Sequence, residues 1–253
     1  MLFSTLRVLL QHGRQQTIKD LGAVNLAPPF RGVPRLCGVP KVSDFLRAKE
    51  ACPTGALTMA PFTLDMGRCL FCGACARLLP DNISFSQDVR MACSLRSALV
   101  VRSDEPWRQV IEPRAELSIF RRALKLRSVV AGGDGANEME LDAAGNVNFD
   151  MRAYGIEFVA SPRHADGVVL TGPITTKMAA PLEETFEAMA QPRVLIAVGL
   201  DAISGGMFID SPAIDRSFLD RHVPDLYVPG HPSHPLTFID GVRKLMAGGE
   251  NRA

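Results

Sequence analysis

The chain has 253 residues, enough for two modest domains, and its 28 Lys and Arg nearly cancel its 27 Asp and Glu. That balance argues against a nucleic-acid or polyanion partner. Hydrophobic residues reach 47% of the chain, which suits a subunit that buries surface against partners, yet no apolar run approaches the ~18 residues needed to span a bilayer.

In chain order, residues 1–36 read as an amphipathic helix and an extended lead-in. Leu2, Phe3, Leu6, Leu9 and Leu10 recur at helical spacing with Arg7 and Arg14 nearby. This predicts a short helix over residues 1–12, lying at a membrane interface or packed on the protein or a partner. The stretch lacks the small-residue cleavage site of an export signal. Residues 20–36 carry Gly22, Pro28, Pro29, Gly32 and Pro34 and read as extended chain. Residues 37–103 form a cysteine-rich part, and 104–123 a polar connector with a helical patch around Leu117 to Leu126. Residues 124–250 read as α/β. Leu126–Ala131, Ile156–Ala160, Val168–Thr171 and Val194–Val198 are short apolar runs of the kind buried parallel strands show. A helix with Leu182, Phe186 and Met189 on one face lies between them, and another spans Thr237 to Ala247. Strands alternating with helices predict a mainly parallel sheet covered on both faces.

The cysteine-rich part holds the most specific pattern. Cys69, Cys72 and Cys75 stand in a C-x2-C-x2-C run, and Cys52 lies upstream before Pro53. Three thiolates at this spacing curl around one 4Fe–4S cube, and a remote Cys-Pro closes its fourth iron. Gly73 lies where the backbone must pass close to such a group. Zinc is the alternative, although zinc sites usually pair two C-x2-C hooks. Cys37 and Cys93 match no ligand position and read as buried, inert thiols.

Residues 37–103 resemble the two-cluster ferredoxin-like subunits of respiratory complex I and group 4 nickel–iron hydrogenases. In that pattern each cysteine run gives three ligands to one cluster and its fourth to the other. Counting from Cys52 and Cys75 puts the missing ligands at Val42, Phe45, Ala48 and Leu79. The resemblance therefore implies one surviving 4Fe–4S cluster and one lost cluster whose space is filled by hydrophobic packing. It also implies an α+β ferredoxin-like fold for this part.

Residues 124–250 resemble the small subunit of group 4 hydrogenases and its complex I homologue. The likeness rests on Gly155-Ile-Glu-Phe-Val-Ala-Ser-Pro-Arg-His-Ala-Asp166, Thr171-Gly-Pro-Ile-Thr175, Lys177-Met178, Gly205-Gly206 and Tyr227-Val-Pro-Gly230. It implies an α/β flavodoxin-like domain and a terminal 4Fe–4S cluster. The four positions of that cluster's cysteines are here Asp134, Asn137, Asp201 and His231. Without thiolates no cluster is held in the family's way. The replacements are oxygen and nitrogen donors, suited either to a divalent ion or to a hydrogen-bonded plug. Three loops should bring them together at one end of the sheet.

Glu138 reads either as a proton-transfer acid or as a helix-starting carboxylate, and Arg163 with His164 either as partner contacts or as turn chemistry. His12, His222 and His234 carry no signal beyond surface or loop positions. The resemblances imply a component of an oxidoreductase-type complex, with a hydrogenase-like or complex I-like large subunit and integral membrane subunits as partners. The alternative is a non-redox assembly and coupling subunit with a structural cluster. The expected location is the cytoplasm, peripheral on the inner face of the membrane.

Overall fold

A computed structural model of the chain describes Val24 and residues 26–248; the helix expected over residues 1–12 lies outside them. The cysteine-rich half is built from short elements, because its apolar residues come in twos and threes between Gly, Pro and Cys. Strand β1 (Pro34–Leu36) leads to helix α1 (Val42–Glu50) and β2 (Leu57–Thr58). Strand β3 (Thr63–Asp65) leads to α2 (Ala74–Leu78) and β4 (Ile83–Phe85). The two β-α-β halves interlock, β1 pairing antiparallel with β4 and β2 with β3. Strand β5 (Val100–Arg102) adds to the free edge of β3.

The proline-rich lead-in thus ends in a strand, where extended chain alone was expected. Pro34 is tolerated because it is the first residue of β1, and Pro34 and Leu36 point inward while Arg35 points out.

Of the four apolar residues expected to fill the space of a lost cluster, Phe45, Ala48 and Leu79 are buried, and Phe45 meets Phe62 edge-on with ring centres 6.2 Å apart. Val42 departs from the expectation and is 60% exposed. On a helix of 3.6 residues per turn, each three-residue step drifts by about 60°, so Val42 is swung away from the face that buries Ala48.

The second half is a five-stranded, all-parallel sheet in the order β10-β9-β8-β6-β7. Its strands are β6 (Leu124–Val130), β7 (Ile156–Phe158), β8 (Gly167–Thr171), β9 (Val194–Val198) and β10 (Leu226–Val228). Every residue of β8 and β9 is buried, which is why they read as unbroken apolar runs. The helices are α3 (Ala136–Ala144), α4 (Thr176–Glu187), α5 (Gly199–Ser204), α6 (Ser217–Arg221) and α7 (Pro235–Met246). Leu182 and Phe186 of α4 and Met189 just beyond it are buried, as their spacing predicts.

The connector and the last strand of the sheet also differ from expectation. The helical patch around Leu117 to Leu126 is a 3-10 turn at Ala115–Phe120, and the chain is already strand from Leu124. Buried Leu124, exposed Lys125 and buried Leu126 alternate with period two, a signal hidden by the preceding three-residue spacing of Leu117 and Phe120. Strand β10 has three residues, too few for a periodicity signal.

The two halves share an apolar core that includes Phe45, Phe62 and Leu64 from the first and Val168, Leu170, Phe218 and Tyr227 from the second. Backbone bonds also join them: Cys93 N–H donates to the Tyr227 carbonyl at 3.0 Å, and Tyr227 N–H to the Cys93 carbonyl at 2.8 Å. A second core lies where α3 and α7 pack together, with Leu141, Leu236, Phe238, Ile239 and Val242. Each such fully buried side chain contributes about 1.5–3 kcal/mol. Among the described residues no helix is long and apolar enough to cross a membrane.

Candidate metal centres

The loop carrying Cys69 and Cys72 is held at its base by Asp65. The Asp65 carboxylate accepts two bonds from the Arg96 guanidinium, at 2.8 and 2.6 Å, and a third from Gly67 N–H at 2.9 Å. The loop then turns through Phe71, whose φ of +53° is uncommon for a residue with a side chain. The Phe71 N–H meets Cys69 Sγ at 3.2 Å. Gly73, at φ +73°, caps α2, which carries Cys75. From the other side Cys52 presents its sulfur, which accepts Ala56 N–H at 3.3 Å.

Cys52, Cys69, Cys72 and Cys75 all line one small cavity of about 20 Å³, walled by Leu57, Leu64 and Leu70. Cys69 and Cys75 are buried, Cys52 is half-buried and Cys72 is exposed. Burial, more than anything else, pushes the Cys69 thiol well above its ordinary range, and the other three cysteines add repulsion. Burial likewise raises Cys75 to about 11. Four sulfurs in an apolar pocket are thus stable as neutral thiols, or as thiolates that share cationic iron or zinc. Soft donors with N–H···S bonds already in place fit a 4Fe–4S cube. Among the described residues no three His, Cys, Asp or Glu side chains already stand at ion-coordinating spacing, so binding would draw these thiols inward.

Cys93 is fully buried, and burial raises its thiol to about 11, as an inert core thiol should be. Cys37, expected to be buried too, is exposed. It follows the end of β1, where the chain turns at Gly38 (φ +60°) and its backbone pairs with Asn82.

The second set of residues gathers at the C-terminal ends of β6, β9 and β10. Asp134 Oδ1 accepts Ala136 N–H at 2.9 Å, just ahead of α3, and this bond holds its carboxyl below the usual range. Asp134 Oδ2 lies 3.1 Å from His231 Nε2. On the other edge of the ring, His231 Nδ1 is 3.9 Å from Asp201 Oδ2, beyond hydrogen-bonding distance, and this buried nitrogen has no partner among the described residues. Burial raises the Asp201 carboxyl, with His231 partly offsetting it.

Asn137 lies behind this row, 3% exposed. Its Oδ1 accepts Ser233 N–H at 2.9 Å, and Gly199 packs against its amide. Glu138 sits in the first turn of α3 and accepts a short bond from the Thr171 hydroxyl. Asp134, His231 and Asp201 therefore form a carboxylate–imidazole–carboxylate row, while Asn137 is committed to the backbone. Sequence reasoning does not single out Ser233. It also misses Arg216, whose guanidinium satisfies the last carbonyls of α5 at Asp201, Ala202 and Ile203. Neither carries a motif.

Arg163 and His164 are exposed on a 3-10 turn. Two histidines with no sequence signal are structural. His222 Nε2 bonds Glu183 at 2.6 Å, and its ring packs on Phe186 and Phe218. His234 is the N-cap of α7: its Nδ1 accepts Leu236 N–H at 3.2 Å, and its ring stands between Phe30 and Phe149.

Burial depresses His234 to about 4, against ~6.5 in an unfolded chain. The neutral ring is the one that folds, so its contribution is complete above pH ~6.5 and is lost as the pH falls towards 4. With the ring partly solvated, the loss should be on the order of 1–2 kcal/mol. His234→Asn, which keeps a capping acceptor, is expected to flatten this part of the stability profile in denaturant titrations at about pH 7 and about pH 4.5. An unchanged slope would exclude His234 as its source.

Comparison with known proteins bears on the second half. Residues 135–245 match the family NADH ubiquinone oxidoreductase, 20 Kd subunit. An NADH-quinone oxidoreductase subunit of Heliobacterium modesticaldum is 41% identical over 117 residues, 46% of this chain and 66% of the relative. Its counterpart in Thermobifida fusca is 39% identical over 109 residues, 42% of this chain and 58% of the relative. The matched part thus spans somewhat less than two thirds of these relatives' lengths. A solved structure of the membrane-bound sulfane sulfur reductase, an archaeal respiratory membrane complex, aligns at 28% identity over 53% of this chain and 75% of that one, with a TM-score of 0.46.

Proposed function

We propose that the chain is an iron–sulfur electron-transfer subunit of an oxidoreductase complex related to complex I and group 4 hydrogenase. The observation that carries this reading is the meeting of Cys52, Cys69, Cys72 and Cys75 around one cavity. The interlocked β-α-β halves that supply these cysteines support a ferredoxin-like reading, and the parallel sheet behind them supports a flavodoxin-like one. A bound 4Fe–4S cluster supplies one-electron chemistry. The chain supplies four soft donors, N–H groups from Ala56 and Phe71, and an apolar wall that keeps water off Cys69 and Cys75. Its partners are a hydrogenase-like or complex I-like large subunit and integral membrane subunits, on the cytoplasmic side, with residues 1–12 as a peripheral membrane contact.

The test is iron and acid-labile sulfide analysis with an EPR-monitored redox titration of the purified complex. The expected content is about four irons per chain from this site, cycling between two states during turnover. About eight irons would overturn the loss of the other ligands. A cluster frozen in one state would favour a non-redox assembly and coupling subunit.

At the second site, a polar plug accounts for the Asp134–His231 and Asn137–Ser233 bonds. The unpartnered His231 Nδ1 facing Asp201 is the observation in favour of a divalent ion held between these two side chains. Elemental analysis decides between them. A stoichiometric non-iron metal that disappears in an Asp201→Ala, His231→Ala double variant establishes the ion, and its absence leaves the plug.

A further inference from the structure

Many of the described arginines are matched to carboxylates: Arg90 to Asp88, Arg96 to Asp65, Arg102 to Asp104, Arg114 to Glu116 and Arg221 to Glu183. Arg31 is different. It belongs to the lead-in, far upstream of the cysteine run, yet its guanidinium lies on that run. Its Nη1 donates to the Phe71 carbonyl at 3.1 Å. The group also rests against Gly73, where a Cβ would lie 2.5 Å from Nε, 2.9 Å from Cζ and 3.1 Å from Nη2. Gly73 is the residue between Cys72 and α2, so the side chain covers the outer wall of the cysteine cavity. Arg31 is half-buried and makes no ion pair with any described carboxylate. Glu140 lines the same outer cleft, but burial alone raises its carboxyl.

We infer that Arg31 sets the reduction potential of the group bound by Cys52, Cys69, Cys72 and Cys75, acting as a fixed positive charge on its outer wall. This rests on the cluster reading above. A cube with four thiolates is anionic and gains one further negative charge on reduction, with no bond made or broken. A nearby cation in a partly desolvated position stabilises the reduced form more than the oxidised one. Arg31 therefore holds the potential higher than the thiolates alone would, and its bond to Phe71 keeps the charge in place. Phe71 also donates to Cys69 Sγ, so one peptide segment links the cation to the ligand shell. Arg77, whose Nη1 reaches the Cys72 carbonyl at 3.5 Å from an exposed position, is screened by water and weaker.

The test is an EPR-monitored redox titration of the purified complex with native Arg31, Arg31→Gln, Arg31→Lys and Arg77→Gln, each with its iron content measured. Arg31→Gln is expected to lower the equilibrium constant for reduction about tenfold, a shift of about 59 mV to more negative potential for a one-electron couple. Arg31→Lys, which keeps the charge, should stay near the native value, and Arg77→Gln should move it little. Equal shifts in Arg31→Gln and Arg31→Lys, or none in Arg31→Gln with iron retained, would overturn the role of charge at this position. Absence of a cluster from the native protein would instead remove the electron-transfer reading, a separate outcome.

Discussion

Cys72→Ser is expected to release most of the bound iron and to lower the melting temperature of the whole chain. Cys72 is the exposed member of the four, so its replacement makes no cavity and buries no new polar group. Any large effect must come from the lost ligand. Serine is nearly isosteric but a poor partner for cluster iron. Without the cluster, Cys69 and Cys75 revert to buried thiols whose burial keeps them protonated. The loop then keeps its protein anchors, Asp65–Arg96 at its base and Arg31 on the Phe71 carbonyl, but binding energy that was coupled to folding is lost. The iron content, the visible sulfur-to-iron absorbance and the thermal midpoint should fall together. Cys37→Ser is the control, since Cys37 is exposed and remote in role. A Cys72→Ser protein with native iron content and spectrum would remove Cys72 from the ligand set.

Gly199→Ala is expected to destabilise the second half by about 3–4 kcal/mol. Gly199 sits at φ +87°, where an L-residue is strained by roughly 1–2 kcal/mol. A Cβ there would run into the Asn137 amide, 2.8 Å from its Cγ and 2.9 Å from its Oδ1. Asn137 has nowhere to retreat, being 3% exposed and bonded to Ser233 N–H. Breaking that bond leaves a buried acceptor and donor unpaired, a further cost of ~1–3 kcal/mol. Denaturant midpoints measure the loss. Asn137→Ala in the same background provides the check, because removing the amide makes room for the methyl and the two changes should be less than additive. A change below about 1 kcal/mol in Gly199→Ala alone would mean that the Asn137 lock is not formed.

The apolar runs of β8 and β9 made the sheet legible, because strands buried on both faces leave an unbroken hydrophobic signature. Leu182, Phe186 and Met189 did the same for the α4 face. What escaped has physical causes. Strand β10 is too short to show a period. Strand β1 hides in a proline-rich stretch because its single proline occupies the one strand position that needs no N–H. Of the candidate centres, the C-x2-C-x2-C run is local and visible. The interactions that position it come from afar, with Arg96 far along the chain from Asp65, and Arg31 from Phe71. The row of Asp134, His231 and Asp201 is a juxtaposition of three loops, and only the resemblance to known small subunits drew them out of the sequence. His222 and His234 give no sequence signal because their partners, Glu183 and the Leu236 N–H, are set by tertiary packing and by a helix start whose cap is not Ser, Thr, Asp or Asn.

The reciprocal backbone bonds between Cys93 and Tyr227 give the two halves a common frame. Tyr227 stands shortly before His231 in the chain, and Cys93 lies in the core shared with Cys69 and Cys75. No hinge separates the cysteine cavity from the loops at the C-terminal edge of the sheet, since the bridge and the common core would have to part before either could swing. A densely packed interior of this kind is stiff. The span between the cysteine cavity and those loops is therefore fixed by the fold, like the gap between two electrodes set in one block. If the cysteines hold a redox group as proposed, electron traffic would be governed by where a partner settles rather than by any motion within the chain itself.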